Sequence, residues 1–146
     1  MDIKDLRLLV KQGESYRLEF KESLADQESI LKELCAFANT AGGTVLVGVT
    51  DKGEIRGLKL TQKTEAQLVN RILDSIQEPV APEVELVPVG KGNIVMRLSV
   101  PGHPQAAHAV KGKPYMRVGS VSKPMPRGEF ERRIREHHPV TWETAL

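Results

Sequence analysis

This sequence predicts an α+β fold: a single domain in which about four helices pack on a mainly antiparallel or mixed sheet. Three observations carry that expectation. The apolar period runs helix, strand, helix and then a succession of strands with further helical stretches among and after them. The chain of 146 residues has the size of one domain and leaves little for a second. At that length folding hides roughly two-thirds of the surface of the unfolded chain, so one core suffices without staples.

From Asp2 to Lys11, residues Ile3, Leu6, Leu9 and Val10 recur at helical spacing, with Asp2 as the cap and Gly13 as the stop. SYRLEFK then alternates, Leu18 and Phe20 against Arg17, Glu19 and Lys21, the pattern of a half-buried strand. A second helix starts after Asp26 and carries Ile30, Leu31, Leu34, Cys35, Phe37 and Ala38 on a wide apolar face. Gly42-Gly43 ends it, and the continuous run TVLVGV reads as a strand covered on both faces. DKGE turns the chain, so Ile55 to Leu58 is expected as a hairpin partner. A third helix over about Thr64–Gln77 turns Leu68, Ile72 and Ile76 inward. EVELVPV and NIVMRLSV flank the turn GKGN as strands, PGHPQ is a loop, Tyr115 to Val118 a last strand, and Glu129 to His137 a short basic helix.

Composition narrows the function classes. No apolar run approaches the roughly 18 residues of a membrane span, and the opening MDIKDLRLLVKQGE is too charged for a secretory signal. The single cysteine, Cys35, makes neither an internal disulfide nor a CxxC metal site, so the expectation is a cytoplasmic, zinc-free protein. The formal charge of +2 hides an asymmetry. Lys111 to Arg135 holds eight basic and two acidic residues, +6, while the other 121 residues hold 13 basic and 17 acidic, −4. A basic C-terminal third suits a polyanion, of which nucleic acid is the commonest; the competing reading is a solvated helix face.

Three carboxylates stand out by placement: Glu14 before the first strand, Glu19 within it and Asp51 at the end of TVLVGV. If the two strands lie near each other, these acids converge, and hard oxygen ligands of that kind suit Mg²⁺ or Mn²⁺. Lys21 shares the face of Glu19 and offers a cation to a developing phosphorane charge. Alternating charge on a solvent-facing strand gives the same Glu-x-Lys pattern, and Asp-Lys-Gly is also ordinary turn chemistry. In AFANTAGGTVLVGV the glycines serve either a sharp helix-to-strand turn or a phosphate resting on exposed amides, although neither a Walker A loop nor GxGxxG is present. His103, His108, His137 and His138 show no metal-ligand spacing, and no nucleophile elbow supports a Ser-His-Asp site.

Together, ESYRLEFK, AFANTAGGTVLVGVTDKGEIRGL and YMRVGSVS resemble the Schlafen AlbA-type domain, from about Glu14 to Ile134. The resemblance implies nucleic-acid binding. Bacterial and archaeal members are described as DNA-binding or regulatory modules, whereas animal relatives include endoribonucleases that cut transfer and ribosomal RNA with Mg²⁺ or Mn²⁺ on three carboxylates. Position by position, the motif acids fall on Glu14, Glu19 and Asp51, the motif lysine on Lys21 and the arginine of Y-x-R-x-G on Arg117. The chain lacks the cysteines of the animal enzymes' zinc site and supplies one lobe where they pair two, so a homodimer is expected.

Three readings follow. In the first the chain is a metal-dependent endoribonuclease acting on structured RNA such as tRNA. There Glu14, Glu19 and Asp51 hold the ion, Lys21 offsets charge, and Lys111, Lys113, Arg117, Lys123, Arg132 and Arg133 bind phosphates. In the second it binds DNA or RNA without cutting and needs only the basic third. In the third, the Gly42-Gly43 turn binds ATP.

Overall fold

The computed structural model describes residues 1–137. In chain order the elements are α1 (Ile3–Lys11), β1 (Leu18–Lys21), α2 (Gln27–Ala38), β2 (Gly43–Val47), α3 (Gln62–Ser75) and β3 (Ile76–Gln77). There follow β4 (Glu83–Gly90), β5 (Asn93–Val100), β6 (Ala109–Val110), β7 (Tyr115–Val118), β8 (Val121–Pro124) and α4 (Arg127–His137). Caps set the helix starts. The Asp2 carboxylate accepts from the amides of Lys4 and Asp5 while Asp5 returns a bond to the Asp2 amide, a capping box, and Asp26 and Thr61 cap α2 and α3.

The main sheet has the order β1-β2-β5-β4, with β1 and β2 parallel and the other pairs antiparallel. This is the mixed α+β arrangement the sequence predicts. Register decides what each face does. Glu19 pairs with Val45 and Lys21 with Val47, so these four share a face, and the two valines belong to the core beneath α2. Leu18, Phe20 and Leu46 face the opposite side, where Leu6 and Val10 of α1 cover them. The polar face of β1 is therefore roofed by α2 instead of meeting solvent.

Several expectations need correction. Ile55 to Leu58 forms no strand: only single bridges join Val49 to Ile55 and Leu58 to Ile94. The amides of Arg56 and Gly57 both donate to the Gly48 carbonyl at 2.9 and 2.8 Å, and Gly48 and Gly57, at φ of 109° and 76°, cross too closely for a ladder. The third helix stops before Ile76, which turns extended to pair with Val110 and stays buried as the strand β3. Strand β8 escapes the sequence pattern because its inward residue is Ser122, not an apolar one. Among the described residues, no helix is long and apolar enough to cross a membrane.

Candidate functional site

The polar face of β1 supplies the chemistry, because α2 and the β7–β8 hairpin close over it. Arg117 is the centre, and its side chain has no solvent exposure. Its guanidinium lies 2.9 Å from the Glu19 carboxylate and 3.6 Å from that of Glu33, donates to Ser122 Oγ at 3.0 Å and to the carbonyls of Ser15 (2.8 Å) and Leu18 (3.3 Å), and stacks 4.7 Å from the Phe37 ring centre. Lys21 Nζ reaches Glu33 at 2.8 Å and donates to Ser29 Oγ. A guanidinium out of water needs its donors filled, and here two carboxylates, a hydroxyl and two carbonyls fill them.

Glu33 is the residue that sequence reasoning missed. It lies one turn from Ile30 and Phe37 within the apolar face of α2, and an acid embedded in such a stripe is the signal of a buried partner. Asn39 and Thr40 complete the interlock. Asn39 Nδ2 donates to the carbonyls of His108 and Tyr115, both at 2.8 Å, and its Oδ1 accepts the His108 amide at 2.7 Å. Thr40 Oγ1 accepts the Arg117 amide at 3.0 Å. The Asn-Thr of one motif thus pins the Tyr-x-Arg of another.

The three motif acids do not all meet at one point: Glu14 is hydrogen-bonded to Glu19, while Asp51 shares only a cavity with Glu14. Glu14 bends onto β1 and accepts the Phe20 amide at 3.0 Å. Asp51 is exposed in the turn after β2, where it and Glu14 line a cavity of about 460 Å³ rimmed by Arg7, Lys11 and Lys52. Glu19 is engaged by Arg117 on the α2 side. Among the described residues no three Asp, Glu, His or Cys side chains come close enough to hold a metal ion. As placed, Glu14, Glu19 and Asp51 do not form one ligand set for Mg²⁺ or Mn²⁺, and the buried Arg117 guanidinium sits beside the middle member. Lys21, expected beside a scissile phosphate, instead closes an ion pair inside the fold.

Withdrawal from water pushes the Glu19 carboxyl up to about 8; a hydrogen bond with Glu14 and the charge of Glu33 act in the same direction, and Arg117 pulls against them. The folded chain then keeps a proton that the unfolded chain releases near 4.5, so this group's contribution is full at lower pH and declines as pH rises from about 4.5 to about 8. Melting temperature is expected to fall across that window in the wild type, and Glu19→Gln to flatten the dependence. Parallel pH profiles of the two proteins would discard the assignment.

The basic third also needs correction. Arg117 and Arg133 are buried and do not face a ligand. Arg133 instead holds the carbonyls of Asn39 (2.7 Å) and Ala106 (3.0 Å), docking α4 onto the end of α2. Arg132 is paired with Glu129 and Glu136, both at 2.6 Å, and the two arginines hold the Glu129 carboxyl down at about 2. Lys111 pairs with Glu28 at 3.0 Å. Lys113 and Lys123 are exposed, and among the described residues neither has an ion-pair partner. Lys111 and Lys113 rim a cleft of about 360 Å³ with Lys32, whose ammonium sits 5.8 Å over the Tyr115 ring. His138 lies outside the described residues.

The glycine pair serves packing. Gly42 is buried, at a φ of 79°, and its amide bonds the Phe37 carbonyl at 2.8 Å. A Cβ on Gly42 would meet the Val100 carbonyl at 2.9 Å, and one on Gly43 would strike the Phe37 ring at 2.5 Å. The Gly42 amide is therefore spent inside the fold and is not open to a nucleotide phosphate.

Comparison with known proteins agrees with this architecture. The model of the family described as Schlafen, AlbA_2 matches residues 14–126. A crystal structure of a Corynebacterium diphtheriae protein superposes with a TM-score of 0.61 at 24% identity, over 82% of this chain and 24% of that one. The chain thus spans about a quarter of that protein, and the likeness is one of fold. The solution NMR structure of the N-terminal domain of a Nitrosomonas europaea protein, described as related to the ATP-dependent DNA helicase RecG, gives a TM-score of 0.60 at 27% identity, over 84% of this chain and 92% of that domain.

Proposed function

We propose, on the premise that the chain belongs to the Schlafen, AlbA_2 family, that it binds nucleic acid through the phosphate backbone and does not cut it. The observation that carries the proposal is the distribution of charge on the accessible side of the β7–β8 region. From Lys111 to Gly128 the sequence has no carboxylate, and of its five cations Arg117 is buried, Lys111 and Arg127 are paired with Glu28 and Glu131, and Lys113 and Lys123 stand exposed without ion-pair partners among the described residues. Exposed lysines free of counter-charges release condensed counterions from a polynucleotide, the main source of sequence-independent affinity.

The non-cleaving part rests on Glu19. A carboxylate bonded to a buried guanidinium, with a second carboxylate on that guanidinium's other side, is part of the protein's own charge balance. Metal-dependent cleavage of structured RNA such as tRNA would need Glu14, Glu19 and Asp51 rearranged around a cation, and Arg117 opposes that. The dimer expected from a single lobe belongs to the same proposal, with sizing chromatography in the presence and absence of RNA as its check.

The experiment is incubation of labelled transfer RNA and labelled DNA duplex with the chain and Mn²⁺, reading retention on a native gel and integrity on a denaturing one. Retention that falls steeply with salt, with every strand intact, is the expected result. Cleavage by the wild type that Glu19→Ala and Asp51→Ala both abolish would establish the nuclease instead.

A further inference from the structure

We propose that the β7–β8 hairpin is a two-stranded ribbon that lies in the groove of duplex DNA, with Val118 and Val121 against base edges and Lys113 and Lys123 on the flanking phosphates. The assignment rests on the nucleic-acid reading above and adds the element, the mode and the kind of duplex. The hairpin is a sheet of its own, separate from the main one. Its register pairs Met116 with Lys123, Arg117 with Ser122 and Val118 with Val121. Alternation sends Arg117 and Ser122 inward, where both are buried against α2, and sends the other two pairs outward.

The outward face is unusual for a soluble ribbon. Val118 and Val121 are 54% and 49% exposed although they are direct cross-strand neighbours, so their methyl groups form one apolar ridge beside the turn. Gly119, at a φ of 59°, takes the first central position of that two-residue turn and keeps it tight. No acidic residue lies between Lys111 and Gly128; Lys123 stands exposed on the ridge's own face, and Lys113 stands exposed before β7, at the cleft that Asp26 and Glu28 also line. That charge favours a polyanion over an apolar protein partner, because a protein surface would have to be strongly acidic to match it.

Shape selects the duplex. The B-DNA major groove, about 12 Å wide, admits a two-stranded β-ribbon and displays thymine methyl groups that apolar side chains contact. The A-form major groove is too narrow for such an element, and its minor groove too shallow to enclose one. The ribbon is also held before it binds. Arg117 ties β7 to β1 and α2, and Asn39 holds the Tyr115 carbonyl, so little ordering is left to be done on association.

The test is fluorescence anisotropy of the full chain with a short labelled DNA duplex, an RNA duplex of matching sequence and the single DNA strand, across about 50 to 200 mM salt. The DNA duplex is expected to bind tightest. Val118→Ser with Val121→Ser should weaken that binding about tenfold with the salt slope unchanged, because only apolar contact is lost. Lys113→Ala with Lys123→Ala should lower the slope of log K against log salt by about two. If serine loosens the ribbon in circular dichroism, threonine at both sites keeps the β-branched strand preference and is expected to weaken binding in the same direction. A wild type that binds DNA duplex while both valine variants bind equally well overturns the groove assignment and leaves the binding reading standing. Tighter binding of RNA duplex or single strand overturns it as well. A wild type that binds no polynucleotide defeats the binding reading itself, and this assignment with it.

Discussion

Replacing Arg117 with methionine is expected to lower folding stability by about 3–5 kcal/mol, because the change strands buried carboxylates instead of removing a surface charge. Methionine keeps much of the length and the contact with Phe37, so the loss isolates the guanidinium. Without it, Glu19 loses its cation, Glu33 keeps only Lys21, and the carbonyls of Ser15 and Leu18 lose their guanidinium donor. Urea denaturation would show the midpoint falling with the slope unchanged. Adding Glu19→Gln to the variant should restore part of the loss at high pH, where an ionised Glu19 would be left uncompensated. A phosphate-binding arginine would behave in the opposite way: stability would hold, nucleic-acid affinity would drop, and the network described here would be wrong.

The second large effect is expected at Asn39. Its amide fills three bonds to the segment 108–115, and alanine would leave the His108 amide without its partner and the carbonyls of His108 and Tyr115 with only the weak thiol donor of Cys35. Each buried orphan costs about 1–3 kcal/mol, partly relieved by relaxation, so a loss of about 2–4 kcal/mol is expected. Hydrogen exchange localises the effect better than a melting curve. Protection of the His108 amide should fall more than tenfold while the β2–β5 ladder, which Asn39 does not touch, loses only the global stability difference. An unchanged His108 amide would show that β6 and β7 are held by something else.

These two residues also show what was legible in the sequence. The order of elements, the caps Asp2 and Asp26 and the two-sided burial of TVLVGV all follow from local chemistry and hydrophobic period. The alternation in SYRLEFK was legible too, but which of its faces meets water is a tertiary matter: it depends on α2 crossing β1, which the pattern of β1 does not encode. Charge along the chain misled for the same reason. Arg117 and Arg133 count toward a basic third, yet each is buried: Arg117 on carbonyls and carboxylates of distant segments, Arg133 on the distant Asn39 and Ala106 carbonyls and on Glu129 of its own helix. Motif residues that look like a reaction centre in one dimension, Glu19, Lys21 and Arg117, turn out to be paired inside the fold, Arg117 with Glu19 and both cations with Glu33. Glu33 offered the one readable warning, an acid set among Ile30, Leu34 and Phe37.

The most direct measurement is a single incubation of end-labelled transfer RNA with excess chain and Mn²⁺, resolved on a denaturing gel for the wild type, Glu14→Gln, Glu19→Gln and Asp51→Asn. Binding without cutting predicts full-length RNA in every lane while a native gel of the same mixtures shows the RNA retained. Discrete fragments from the wild type that disappear in all three variants would mean that the acids do meet around an ion, and that the Arg117 pair opens to let them.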